Sequence, residues 1–167
     1  MNTPAAVAPI ALAQDEGEAL WFLGTRATIK ASADSTDGRV GIIEQLAPPG
    51  SGSPLHVHRN EDEWFYVMAG ELTFLVGGER IVAGPGGFVY GPRDIPHIFQ
   101  VTSAEPAHFL LVSEPGGFEN MVRAAGVPAT APGLPPADGP PPDMEQLGAA
   151  AAAQGIEILG PPGIPQA

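Results

Sequence analysis

Gly50-Ser51-Gly52-Ser53-Pro54-Leu55-His56-Val57-His58-Arg59-Asn60-Glu61-Asp62-Glu63-Trp64-Phe65-Tyr66-Val67-Met68-Ala69-Gly70 is the stretch on which fold and chemistry turn. His56 and His58 stand two apart on an apolar run, so the alternation of a strand puts both imidazoles on one face. Neutral imidazole is the commonest side-chain metal ligand, which makes the pair a natural chelate. Glu63 opens the next apolar run, sharing its face with Phe65 and Val67, while Trp64, Tyr66 and Met68 face the other way. A carboxylate heading an inward face is costly unless a cation pairs with it.

A third imidazole comes from Pro92-Arg93-Asp94-Ile95-Pro96-His97-Ile98-Phe99, where prolines stiffen the approach to a strand that His97 opens. Phe99 and Val101 share its face. Three neutral nitrogens and one carboxylate, with positions left for water or substrate, favour one divalent transition metal (Fe, Mn, Ni, Co or Zn) over Ca or Mg. The chain has no cysteine, which excludes thiolate ligands, disulfides and a cysteine nucleophile. The remaining histidine, His108, lies in a strand without motif context and reads as structural or exposed.

Outward from this stretch the pattern is all-β. Short runs rich in β-branched and aromatic residues fall at 19–23, 27–31, 39–46, 55–58, 63–68, 71–76, 79–82, 88–90, 97–101 and 107–113. Asp37-Gly38 and Gly77-Gly78 are hairpin signals, since those turns need positive φ. Many short strands at this spacing make a sandwich or barrel. Residues 1–18 read as a flexible lead-in, 19–113 as the barrel and 114–167 as a helical and irregular extension. The extension holds a helix over Phe118–Ala125 stopped by Gly126, a Pro/Gly/Ala-rich connector and a second helix over Pro142–Gln154. An apolar patch, Ile156–Leu159, follows. This tail is expected across the outside of the barrel, the alternatives being a flap over its mouth or an arm around a second subunit.

With 7 basic against 19 acidic side chains the net charge is −12, which repels phosphate backbones and anionic lipid surfaces. Nucleic acid and membranes are therefore excluded as partners. The nearest cations, Arg59 and Arg93, read as solvated surface charges, with anion binding as the alternative. Met1–Ala13 lacks an initial Lys or Arg and is broken by Pro9, so it does not read as a secretion signal, and the expected location is the cytoplasm.

The motif residues resemble the cupin superfamily. Gly50, His56, His58, Glu63 and Gly70 fit its first motif without a gap, and Gly86, Pro92 and His97 fit the second. Asp94 stands where that motif has Gly, and Val101 where it has Asn; neither departure removes a ligand, and Asp tolerates left-handed backbone angles. The family spacing selects Glu63 as the carboxylate, leaving Glu61 and Asp62 as solvated turn charges. The resemblance implies a jelly-roll barrel that holds one metal through His56, His58, Glu63 and His97. A small organic substrate would lie in the mouth beside Phe65, Phe99 and Tyr90.

Ser113-Glu114-Pro115-Gly116-Gly117-Phe118-Glu119 and the helix after it resemble the same segment in single-domain cupins of the quercetin 2,3-dioxygenase-like group. That resemblance implies oxygenolytic cleavage of a flavonol or a related enolisable aromatic, with dioxygen as co-substrate and Glu63 accepting the hydroxyl proton. The rival readings are a metal-dependent cyclase, isomerase or lyase that uses no oxygen, and a non-enzymatic ligand binder. Cupins commonly pair through barrel strands, so a homodimer is the expected assembly.

Overall fold

Alternating burial runs through the strands of the computed structural model, which describes residues 7–165. Strands β1 (Glu18–Phe22) and β2 (Thr25–Ala31) lead through a helical turn, α1 (Ala33–Thr36), to β3 (Gly41–Ala47), β4 (Pro54–His58) and β5 (Asp62–Ala69). Next come β6 (Leu72–Val76), β7 (Glu79–Ala83), β8 (Phe88–Gly91), β9 (His97–Val101) and β10 (Ala107–Glu114). Helix α2 (Phe118–Ala125), the short β11 (Val127–Pro128), α3 (Met144–Ala153) and β12 (Ile156–Pro162) complete the described chain. All pairings are antiparallel, in a seven-stranded sheet ordered β11-β1-β2-β3-β10-β5-β8 and a five-stranded sheet ordered β12-β4-β9-β6-β7. This two-sheet jelly roll is the all-β class read from the sequence.

Inward residues of both sheets form one core. Phe65 lies 5.0 Å from Phe74 and 5.9 Å from Phe99, and Phe99 lies 5.5 Å from Phe109, in tilted and edge-on pairs. Such contacts add about 0.5–1.5 kcal/mol each beyond area burial. The extension joins the same core through Phe118, Met121, Val122, Leu147, Ala150, Ala151 and Ile156. Glu119 locks α2 in place: fully buried, it accepts from Ala33 N at 2.6 Å and Gly117 N at 3.0 Å.

Several turns follow their residues closely. Gly77 (φ 58°) and Gly78 (φ 88°) make the β6–β7 hairpin. Asp94 adopts φ 64°, the left-handed conformation its short polar side chain tolerates.

Other readings change. Asp37-Gly38 is the left-handed end of α1 and not a hairpin, because Ser32 caps that turn through Ser35. Gly126 stops α2 without a positive φ; its φ is −90°, and a Cβ there would meet Val122 O at 2.6 Å. Residues 1–6 of the lead-in lie outside the described residues. The lead-in is tied down before its end, since Lys30 Nζ donates to the carbonyls of Ala13, Gln14 and Glu16 at 3.3, 2.8 and 2.7 Å. Ile156–Leu159 belongs to β12, which pairs with β4 and so borders the strand carrying His56 and His58. Among the described residues, no helix is long and apolar enough to cross a membrane.

Candidate metal centre

Strand β4 supplies His56 and His58, β5 supplies Glu63 and β9 supplies His97. His56 and His97 are direct register partners in the five-stranded sheet, which brings their rings to 4.5 Å. Glu63 approaches from the facing sheet, and one ligand atom from each of the four residues lies within 4.8 Å of all the others. The cluster is buried, with His58, His97 and Glu63 at 0%, 1% and 2% exposure and His56, nearest the opening, at 8%.

The hydrogen bonds behind the rings fix their tautomers. His56 Nδ1 lies 2.8 Å from Pro54 O, and His97 Nδ1 lies 3.1 Å from Ile95 O. A carbonyl only accepts, so both Nδ1 atoms carry hydrogen, and in the neutral ring each Nε2 presents a lone pair, while a protonated His97 donates from Nε2 to Glu63 Oε2. His58 Nδ1 lies 3.0 Å from Glu61 Oε1, with the same consequence for an ionised carboxylate. The freed Nε2 atoms converge on Glu63 Oε2, at 2.9 Å from His97 and 3.3 Å from His58. Lone pairs facing a carboxylate repel unless a proton or a cation lies between them. His58 Nε2 is out of hydrogen-bond geometry, and it and Glu63 Oε1 are buried atoms without a hydrogen-bond partner among the described residues. Buried polar atoms are rarely left so. The donor set therefore fits a divalent cation.

Without a metal, the electrostatics recruit a proton instead. Burial opposes a charge on His58, but Glu63 and Glu61 outweigh it and push its pKa up to about 10. Burial, reinforced by the His97 charge, pushes His56 down to about 4. Burial works to raise the pKa of Glu63, yet His58 and His97 hold its carboxyl well below the usual range.

The structure moves some of the expected residues. Glu61 is not a solvated turn charge: it is 3% exposed and bonded to His58. Tyr90 does not line the mouth, because β8 turns it outward against Trp64, ring to ring at 4.6 Å, while Val89 and Gly91 face in. Phe65 is buried in the aromatic core, and Phe99 reaches the cavity beside the cluster. Arg59 pairs with Asp94 and Glu157, and Arg93 with Asp62, all at the surface. His108 is bonded to Glu44 on the outer face of β10.

The cluster opens through His56 and Glu63 into a narrow cavity of about 50 Å³. Its wall is mainly apolar (Phe22, Phe99, Leu111, Phe118, Met121, Ile156), with the carboxamide of Gln45 and the hydroxyl of Ser53 among its polar groups. Among the described residues, no Lys or Arg lines it. Gln45 was legible as an inward position of β3, between Ile43 and Ala47, but a lone Gln carries no motif. Ile156 and Ile158 reach the wall only because β12 pairs with β4, a contact too distant in sequence to read.

Residues 43–113 match the family described as Cupin domain. The chain is 32% identical over 95 residues to the quercetin 2,3-dioxygenase of Bacillus subtilis (strain 168), a match that covers 57% of this chain and 28% of that protein. Among solved structures, a predicted oxalate decarboxylase from Thermotoga maritima superposes with a TM-score of 0.56 at 20% identity, over 65% of this chain and 99% of that one. A point variant of Bacillus subtilis oxalate decarboxylase gives 0.55 at 24% identity, over 67% of this chain and 31% of that one. At these identities the two structures speak to the fold alone.

Proposed function

The chain belongs to the cupin superfamily, and from that premise we propose that it is a metal-dependent enzyme acting on a small, neutral, enolisable aromatic molecule by oxygenolytic cleavage. The observation that carries this reading is the buried cluster of His56, His58, Glu63 and His97 with its nitrogen lone pairs turned inward, opening on an apolar cavity. The partial identity to a quercetin 2,3-dioxygenase supports the reaction class.

The four residues would hold the ion, which when bound supplies Lewis-acid stabilisation of an anionic substrate oxygen and a site for oxygen chemistry. The protein does the rest. Phe99, Phe118 and Leu111 offer flat apolar surface to a ring and exclude water, and Gln45 and Ser53 offer hydrogen bonds to a hydroxyl or carbonyl. Glu63 is the carboxylate of the four residues, and its ionised form is the one that accepts a proton. Apart from the ion, no Lys or Arg among the described residues lines the wall, so a small dianion such as oxalate would have no partner for its second carboxylate.

The test is to load the purified protein with metal and incubate it with a flavonol panel, with and without air. Loss of flavonol absorbance only in air supports the proposal. Turnover without oxygen would replace it with a cyclase, isomerase or lyase at the same site, and saturable binding without turnover with a ligand-binding role. A two-fold homodimer is part of the proposal and is tested by gel filtration with light scattering.

A further inference from the structure

We infer that Glu61 is a positioning residue of the metal centre, holding His58 in the tautomer and ring orientation that aim its Nε2 at the ion. The inference rests on the metal-centre reading above. Each of the other two imidazoles is fixed by a backbone carbonyl two residues earlier in the chain, Pro54 O for His56 and Ile95 O for His97. For His58 the equivalent carbonyl belongs to His56. That residue is register-paired on both sides of β4, with Ile158 and with His97, and His58 Nδ1 turns to a different acceptor. Glu61 supplies the missing acceptor from the turn, its Oε1 3.0 Å from His58 Nδ1.

A carboxylate placed there does more than a carbonyl. Its full charge makes the imidazole a stronger donor at Nε2, the effect that outer carboxylates have on metal-bound histidines elsewhere. It is also expensive to bury, and Glu61 is 3% exposed beside a fully buried His58. Asp62, the next residue, pairs instead with Arg93 at the surface. One of two adjacent turn acids has thus been turned inward onto a ring nitrogen.

The experiment titrates metal-free wild type, Glu61→Leu and Glu61→Gln with Co(II), reading affinity and the visible d–d spectrum. Thermal unfolding of each metal-free protein is recorded alongside. Glu61→Leu should weaken Co(II) binding by about 10–100-fold and alter the bands. Glu61→Gln keeps an acceptor for Nδ1–H without the charge, so it should restore the wild-type band pattern and most of the affinity. Wild-type affinity and bands in Glu61→Leu would overturn the inference. So would equal losses in both variants that follow a fall in metal-free stability, since that marks a brace for the turn. Should Glu61→Leu fail to fold, Glu61→Asp takes its place, and there wild-type bands and affinity despite the shorter reach would overturn it. A wild type that takes up no Co(II) would instead sink the metal centre and this inference with it, and the His56→Ala and His97→Ala controls tell that failure apart.

Discussion

Phe118→Ala tests whether the C-terminal extension is part of the site wall. Phe118 opens α2, is 8% exposed and packs edge-on against Phe22 at 6.5 Å and His58 at 5.8 Å. Truncating a buried Phe to Ala costs about 3–5 kcal/mol. One side of this ring already borders the cavity, so it has fewer packing atoms to lose, and the cost should lie near the lower end, about 3 kcal/mol. In a chain of this size each kcal/mol moves Tm by about 2–4 °C, which gives a fall of about 6–12 °C. Urea unfolding of the metal-free protein, followed by circular dichroism, measures this as a lower midpoint at unchanged slope. The widened cavity should also admit bulkier ring-substituted ligands. A loss below about 1 kcal/mol would show that Phe118 is not part of the packed wall, because surface positions lose no more than that.

Glu63→Gln removes the only carboxylate of the cluster, so it should retain some metal by elemental analysis but lose most turnover; unchanged activity would remove Glu63 as the proton acceptor. Metal binding must displace the proton that keeps His58 charged up to about pH 10. Affinity for Co(II) should accordingly rise by about tenfold per pH unit between about pH 7 and 9, one proton being bound in the metal-free state and none with metal. A flat calorimetric profile over that range would contradict this. Asp94→Val forces a β-branched residue to φ 64° and should cost about 1–2 kcal/mol in urea unfolding, whereas Asp94→Gly should be nearly neutral. Equal stability of the two variants would count against a strained turn at this position.

The strands and the four clustered residues were legible because local rules govern them. The alternation around Glu63, the two-residue step from His56 to His58 and the glycine pairs at turns each act within a few residues. Glu61 was not legible for the opposite reason. Sequence gives two acids side by side in a turn, and only the three-dimensional path of β4 into β5 decides which one faces His58. Tyr90 faces outward because Val89 and Gly91 hold the inward positions of β8, and a run as short as 88–90 carries no local mark of which face is buried. The partnership of β12 with β4 spans about a hundred residues and carries no local mark, so Ile156 and Ile158 enter the site wall unannounced. Asp37-Gly38 shows a further limit: the same left-handed pair ends a helical turn or closes a hairpin, and the cap at Ser32 decides between them.

Elemental analysis of the purified protein, beside His56→Ala and His97→Ala prepared in the same way, decides whether His56, His58, Glu63 and His97 hold a metal ion. About one transition-metal ion per chain is expected in the wild type, with a severalfold loss in both variants. Full occupancy in both variants, or no metal in a wild type exposed to Fe, Mn, Ni, Co and Zn, would contradict this assignment.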